Sequence, residues 1–394
     1  MPMKKVLITV GSHAEIPLIH ALQKLGYYVI TTGNNLDGLG HAEADEYAEG
    51  DFSKKDTVLN IAKENEVVGI VSGCNDFAYL STAYACEKLG LKGHDTYETS
   101  KIIHHKDRFR EELRKLNIKT PKIAVCENKQ QALDTLKTYT FPCMVKAVDL
   151  TGGKGIKKAH NIYEAEVAID EAFAWTREKR IIVEEFIEGE NHGFTCLVKN
   201  NKVVFGFLDN EQYYKNPYLV SGAYGPSNRT EVIDTLKSDI EKLFTALNMA
   251  DGLFHVQIII DTDGYPVMID PCRRAPGDLY LKLVEYSTGV PYAEEIVKAE
   301  LGLPLNDEYK TERYFIAREC VMSKREGIYK RVNISDEAKP YIIDKMIWGR
   351  PGDNYRNSMT YKAGIIFMKF VDYDTMVDVS SRFHDLVQIE FYDK

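Results

Sequence analysis

The stretch Phe141–Ile156, FPCMVKAVDLTGGKGI, constrains this chain more than any other. Phe141, Met144 and Val145 are apolar, and Pro142 is tolerated in a strand only near its start, so the segment opens as a β-strand. Lys146 follows as a lone cation in that apolar run. A polar turn, Thr151-Gly152-Gly153-Lys154-Gly155, precedes the return to apolar sequence at Ile156. Glycines at 152, 153 and 155 remove the Cβ atoms that would keep a backbone from closing over an anion. Successive N–H groups in such a turn form a concave nest for phosphate oxygens, and a lysine on the preceding strand reaches the same phosphates as a point charge. Taken alone, the loop is equally compatible with a flexible hairpin tip.

Two familiar phosphate loops are excluded. A Walker loop requires Ser or Thr after its lysine, and Lys154 is followed by Gly155. The dinucleotide fingerprint fails at Gly11-Ser12-His13-Ala14-Glu15, which lacks the second and third glycines.

Around this hairpin the chain alternates strands and helices. Residues 4–95 read as a parallel α/β unit, whose ligands belong beyond the carboxyl ends of its strands, at Gly11-Ser12-His13 and Ser72-Gly73-Cys74-Asn75. A helix is expected from Thr96 to Lys115, then a strand–helix–hairpin–helix–strand order ending in Glu184-Glu185-Phe186-Ile187-Glu188-Gly189-Glu190. Residues 192–300 read as antiparallel, with a long irregular loop running to Tyr224-Gly225-Pro226. Asp261-Thr262-Asp263-Gly264 is a hairpin turn lacking the remaining oxygen ligands of a calcium loop. Leu303–Thr311 reads as a linker to a small α+β unit. The fold class is therefore multidomain α/β and α+β.

A chain of 394 residues accommodates two to four cores. A net charge of −9 argues against a dedicated nucleic-acid binder, and no apolar run reaches the roughly 18 residues of a membrane span. Seven cysteines, none in C-x-x-C spacing, and an N-terminus without a leader pattern lead us to expect a cytoplasmic protein with reduced thiols.

In its order of parts the chain resembles the ATP-grasp superfamily, in particular its carboxylate–amine ligases. The resemblance rests on the turn Asn117-Ile118-Lys119-Thr120-Pro121, the lysine–glycine hairpin, the E-E-x-hydrophobic-x-G-x-E segment and the Arg-rich turn Arg273-Arg274-Ala275-Pro276-Gly277-Asp278. It implies a pre-ATP-grasp domain over 1–105, an ATP-grasp domain over 106–305 with a lid lobe at about 119–187, and a small C-terminal domain over 306–394. It further implies that Lys106 and Lys146 hold ATP phosphates beneath a lid of Gly152, Gly153, Lys154 and Gly155. Glu184, Glu185, Phe186 and Ile187 would form the adenine hinge, with Glu184 accepting from the base's amino group, and Glu190 would bind ribose.

The metal positions implied by the resemblance are Gln257, Asp270 and Cys272, where the family normally has Glu, Glu and Asn. Magnesium (or manganese) prefers hard oxygen, so Asp270 suits it, the Gln257 carbonyl suits it weakly and Cys272 is a poor ligand. Arg274 is expected to neutralise the acyl phosphate and oxyanion, with Arg273 serving the reaction or the substrate. Ser12, His192, Ser221, Tyr224, Gly277 and Asp278 complete the expected substrate region. The partners implied are an amino-acid-like carboxylate and an amine, with a homodimer as the assembly common among relatives. Three readings stay open: an acyl-phosphate ligase, a carboxyphosphate- or formyl-phosphate-forming enzyme, and a nucleotide-binding protein without turnover.

Overall fold

The computed structural model describes residues 3–150, 152–356 and 360–392. Strands β1 (Lys5–Thr9), β2 (Tyr28–Gly33), β3 (Glu46–Glu49) and β4 (Gly69–Ser72) form a parallel sheet in the order β3-β2-β1-β4. Their apolar runs are covered by helices α1 (Ile16–Lys24), α2 (Lys55–Glu64) and α3 (Asp76–Leu89). Asn75 starts α3 by accepting from the Phe77 and Ala78 amides, and Gly90, at φ +66°, ends it. This leaves the first turn of α3 at the end of β4, where an α/β sheet presents ligands.

The helix expected over 96–115 is two helices, α4 (Tyr97–His104) and α5 (Lys106–Lys115). His105 is extended (φ −85°, ψ 118°) and breaks the run, while the Lys106 amide donates to Val148 O at 3.0 Å. That break aims Lys106 at the glycine hairpin instead of along a continuous helix.

The lid lobe is an antiparallel sheet ordered β5-β8-β6-β7: β5 (Ile123–Cys126), β6 (Cys143–Ala147), β7 (Ile156–Ala159) and β8 (Ile181–Glu185). Helices α6 (Lys129–Leu136) and α7 (Ile162–Trp175) bury its outer face. The central sheet, β10-β9-β13-β14, pairs β9 (Gly189–Lys199) with β10 (Lys202–Leu208), and β13 (Gly252–Asp261) with β14 (Pro266–Cys272). It packs on α8 (Ile233–Leu247), and α9 (Tyr280–Thr288) and α10 (Tyr292–Glu300) follow the Arg-rich turn.

The loop expected between Leu208 and Tyr224 is largely a hairpin, β11 (Asn210–Tyr213) and β12 (Val220–Gly225). It joins β15 (Phe315–Val321), β19 (Gly364–Phe370) and β17 (Ile342–Ile347) in one sheet ordered β11-β12-β15-β19-β17. The β12–β15 ladder therefore carries hydrogen bonding across residue 305. A small sheet of β16 (Gly327–Ile334), β18 (Asn354–Tyr355) and β20 (Val387–Phe391), with α11 (Tyr373–Ser381) and α12 (Phe383–Leu386), closes the C-terminal unit. Among the described residues no helix is long and apolar enough to cross a membrane, and the seven cysteines are unpaired thiols.

Arg273 is a fold residue, which corrects its expected catalytic and substrate role. Its side chain is buried away from the cleft and donates to Asp95 (2.9 Å), Ala250 O (2.6 Å) and Leu253 O. It ties the N-terminal unit to β13. Because Asp95 is itself buried, Arg273→Ala strands a carboxylate without its partner. We expect a loss of about 3–5 kcal/mol in denaturant unfolding, far above the effect of an exposed Arg→Ala control such as Arg331→Ala.

Candidate active site

A cleft of about 740 Å³ opens where the lid sheet, the central sheet, the first turn of α3 and the β11–β12–β15 sheet meet. Of the residues singled out from sequence, it brings together Lys106, Lys146, Gly152, Gly153, Glu184, Glu185, Phe186, Ile187, Gln257, Asp270, Cys272, Arg274, Gly277 and Asp278.

Lys146 leaves β6 into the floor of the lid, only 5% exposed, and its Nζ contacts Glu184 Oε1. The other Glu184 oxygen accepts from Arg110 Nε at 3.1 Å, and Arg110 Nη2 donates to Ile269 O at 2.7 Å. Burial alone would raise the Glu184 carboxyl; the charges of Lys146 and Arg110 overcome it and hold the group below its ordinary value. Burial lowers the Lys146 ammonium, opposed by Glu184. Each Glu184 oxygen holds one cation, so the residue clamps Lys146 while still lining the cleft beside Glu185–Ile187. Lys106 Nζ donates to Leu150 O at 2.7 Å and lies 3.2 Å from Asp270 Oδ1, so both lysines and Asp270 face one space.

The glycine turn seats on the loop after β11. Gly153 has φ +74°, and a Cβ there would lie 2.7 Å from Asn216 Nδ2. Gly155 (φ +60°) packs against Ala147 and Leu150 behind the cleft, Lys154 is exposed, and neither lines it. Thr151 lies outside the described residues. Beyond the turn, Met144, Ile156, Ile259 and Ile269 supply apolar walls beside the Glu185–Ile187 backbone, and Lys158 Nζ lies 3.6 Å from the Phe186 ring centroid.

The metal positions fit only in part. Gln257 pairs with Asp270 across the β13–β14 register and donates its amide to both oxygens of Glu211, at 2.9 and 3.0 Å. Asp270 is a hard anionic oxygen open to the cleft. Cys272 is not a ligand: burial pushes its thiol up to about 12, and Sγ donates to Arg274 O at 3.4 Å. Among the described residues no three His, Cys, Asp or Glu side chains converge as a metal set. Asp270 with phosphate oxygens and waters is a donor set magnesium accepts.

Arg274 Nη2 donates to Asp76 at 3.0 Å, while its buried Nε has no partner among the described residues. The Asp278 carboxylate is committed to Lys362 and lies 3.9 Å from Arg318 Nη1; despite burial, Lys362 foremost holds it well below the carboxylate range. His13 Nε2 approaches it at 3.7 Å while stacking on Trp348. Asp278 is therefore a joint between three units, not an open substrate ligand.

The remaining expected residues lie elsewhere. Alternation along β9 turns Gly189 and Asn191 to the cleft and Glu190 and His192 away from it. Glu190 pairs with Arg229 outside the cleft, and His192 Nδ1 bonds Asp209 O at 2.8 Å, so neither lies at the expected ribose or substrate position. Ser12 caps a turn and bonds Glu15 at 2.6 Å. Ser221 donates to Gln212 O at 3.2 Å, and Tyr224 packs toward Tyr373 in the C-terminal core.

The cleft also holds residues that sequence reasoning missed: Glu211, Tyr213, His255, Tyr280 and Arg318. Tyr213 donates to Glu211 at 2.6 Å, and Tyr280 donates to Asp209. Burial raises the Asp209 carboxyl to about 7 and, with Asp209 adding, Glu211 to about 8. Arg318 carried a readable signal, a charge inside the apolar run Phe315–Val321 like that of Lys146 in β6.

Residues 105–227 match the family model of the phosphoribosylglycinamide synthetase ATP-grasp (A) domain. The chain carries an ATP-grasp domain. Over 309 residues it is 24% identical to the C-terminal section of the carbamoyl phosphate synthase large chain of Aquifex aeolicus (strain VF5), matching 75% of this chain but 55% of that one. It thus spans about half the length of that curated relative. An L-amino acid ligase from Bacillus licheniformis superposes over 100% of both chains with TM-score 0.84 at 17% identity. A phosphoribosylglycinamide synthetase from Anaerococcus prevotii does so over 99% of this chain and 100% of its own, with TM-score 0.78 at 24% identity. These likenesses establish the ATP-grasp fold over the whole chain.

The seating of the glycine turn is testable by itself. Gly153→Val combines a disfavoured φ with a clash against Asn216. Tryptic cleavage after Lys154 should accelerate several-fold while global melting stays within a degree or two.

Proposed function

We propose that this chain is an ATP-dependent ligase that activates a substrate carboxylate as an acyl phosphate for attack by an amine. The observation that carries the reading is that Lys106, Lys146 and Asp270 share one cleft beneath the Gly152–Gly153 turn, next to the apolar slot at Glu185–Ile187. Adenine would lie between Met144, Ile156, Ile259 and Ile269, reading Glu185 and Ile187 backbone groups. The two lysines would then meet the phosphates.

A carboxylate oxygen attacks the γ-phosphorus; that O–P bond forms as the bond to the β–γ bridging oxygen breaks, and ADP leaves with the electron pair. Phosphoryl transfer needs placement and charge neutralisation more than covalent help, and Lys106 and Lys146 provide both. Magnesium held by Asp270 would add charge neutralisation at the phosphates. The amine then attacks the acyl carbon, the C–O bond to phosphate breaks, and phosphate departs as the amine loses a proton. Arg274, which lines the cleft and is tethered by Asp76, would balance the oxyanion, and the glycine turn would keep water from the intermediate.

Carboxylate-stimulated ADP release, run with ¹⁸O in the carboxylate, tests this. One labelled oxygen should appear in phosphate. Lys146→Met and Asp270→Asn should each lower turnover roughly a hundredfold or more, with melting temperatures retained as the control. Label remaining wholly in product overturns the acyl phosphate, and stimulation by bicarbonate or formate alone moves the reading to a one-carbon acid.

A further inference from the structure

Strand β14 changes phase just before Asp270. Met268 pairs with Ile258 and Asp270 pairs with Gln257, so Ile269 is passed over in the β13–β14 register and forms a β-bulge. The bulge decides where one carboxylate points. Met268 is buried in the core that α8 covers, and strict alternation would send the residue two positions on to that same side. The extra residue reverses the parity. Ile269 and Asp270 consequently both line the cleft, beside Gln257 from the neighbouring strand. A bulge leaves its extra residue outside the ladder, and the Ile269 carbonyl accepts from Arg110 Nη2 at 2.7 Å. The same guanidinium reaches the lid sheet, where Nε donates to Glu184 Oε2 at 3.1 Å and the other Glu184 oxygen holds Lys146. Arg110 also stands four residues after Lys106 on α5, one turn along the same face. It is fully buried and does not line the cleft. Lys106, Lys146 and Asp270, which do, are linked to it by one helical turn, one carboxylate and one peptide bond respectively.

We propose that Arg110 is a positioning residue for the phosphate end of the cleft. By holding the bulge carbonyl it keeps Asp270 turned toward the lysines, and by holding Glu184 it keeps Lys146 in place. The inference rests on the nucleotide half of the ligase reading, with magnesium at Asp270. A planar guanidinium suits this task because its fork serves two acceptors in different directions at once, whereas an ammonium is a point charge. A lysine at position 110 would follow the charge of Glu184 and release the Ile269 carbonyl. The two arms of Arg110 are therefore separable: one governs a lysine, the other a metal ligand.

The test uses the intact protein and titrates ADP with and without magnesium. The gain in affinity that magnesium brings reads out Asp270 without any turnover. Asp270→Asn should cut that gain about tenfold or more, and Arg110→Met should cut it to a similar degree, as loss of a group that orients a metal ligand does. In the double variant the loss should stay within about threefold of the larger single loss, where independent effects would multiply. Arg110→Lys should lose the magnesium gain as Arg110→Met does, while its metal-free ADP affinity stays within about threefold of the unmodified protein's. Because it keeps the interior charge balance, Arg110→Lys carries the comparison if Arg110→Met does not fold. Arg273→Lys, at a buried arginine away from the cleft, should leave the gain intact. A magnesium gain retained in either Arg110 variant overturns the role, as do losses that multiply with Asp270→Asn. So does an equal loss in Arg273→Lys, or a metal-free affinity that falls in Arg110→Lys as far as the gain. Failure of magnesium to raise ADP affinity in the unmodified protein overturns it together with the placement of the metal at Asp270. Should Arg110 fail these comparisons while carboxylate-stimulated ADP release proceeds, the positioning role falls and the ligase stands. Should they hold while no carboxylate releases ADP, the ligase falls and Arg110 orders a nucleotide site only.

Discussion

The cleft depends on one buried charge cluster, Lys146–Glu184–Arg110, contributed by β6, β8 and α5. Removing three ionised groups from water is expensive, and a buried pair often contributes little net stability. What this arrangement supplies is position. Glu184 cannot leave its two cations without exposing them unpaired, so Lys146 is held at the cleft floor and Arg110 pins β14 through Ile269 O. Two cations around one anion leave a residual positive charge, and Lys106 adds another nearby, answered by Asp270. A polyanion entering this site meets charge already fixed in place, so little side-chain reorganisation opposes it.

Only the parts with a local chemical signature were legible in the sequence. Lys146 and the glycine turn stand out because a cation in an apolar strand and closely spaced glycines are unusual in themselves. Lys106 was reached through the order of parts and not through a local signal, since nothing in Ile102–Arg108 announces that the helix breaks at His105 and is redirected by the Val148 carbonyl. Glu190 illustrates the opposite error. Counting residues from Glu184 ignores that β9 alternates faces, and a single-residue parity decides whether a carboxylate meets the cleft or Arg229. Arg273 and Arg274 are neighbours with the same side chain, and parity on the strand end separates them: one is buried behind β13, the other opens on the cleft.

The hairpin β11–β12 was hidden for a different reason. Its residues, Asn210-Glu211-Gln212-Tyr213 and Val220-Ser221-Gly222-Ala223-Tyr224-Gly225, are polar or small and read as loop. β12 is held as strand by β15, about a hundred residues later in the chain, and β11 pairs along its other edge. Pairing of that range has no local signal, and the side chains it places, Glu211 and Arg318, are those that sequence reasoning did not assemble.

This division has a consequence for how such a protein can vary. In the proposed ligase reading, the lid and central sheets would furnish the nucleotide half of the cleft, and the sheet that β11 and β12 share with the C-terminal unit the acceptor half. Gln257, reaching Glu211 from β13, spans the two, and Asp278 joins the second half to the N-terminal unit through His13 and to the C-terminal unit through Lys362. On that reading, a substitution on the cleft face of β11, β12 or β15 would change which acid is received while the opposite end of the cleft keeps its geometry. Glu184 has no such freedom, because its loss leaves two cations unpaired in the interior, whereas loss of Lys146 or Arg110 leaves Glu184 with its other partner. The boundary between the two ends runs along the contact of Gln257 with Glu211.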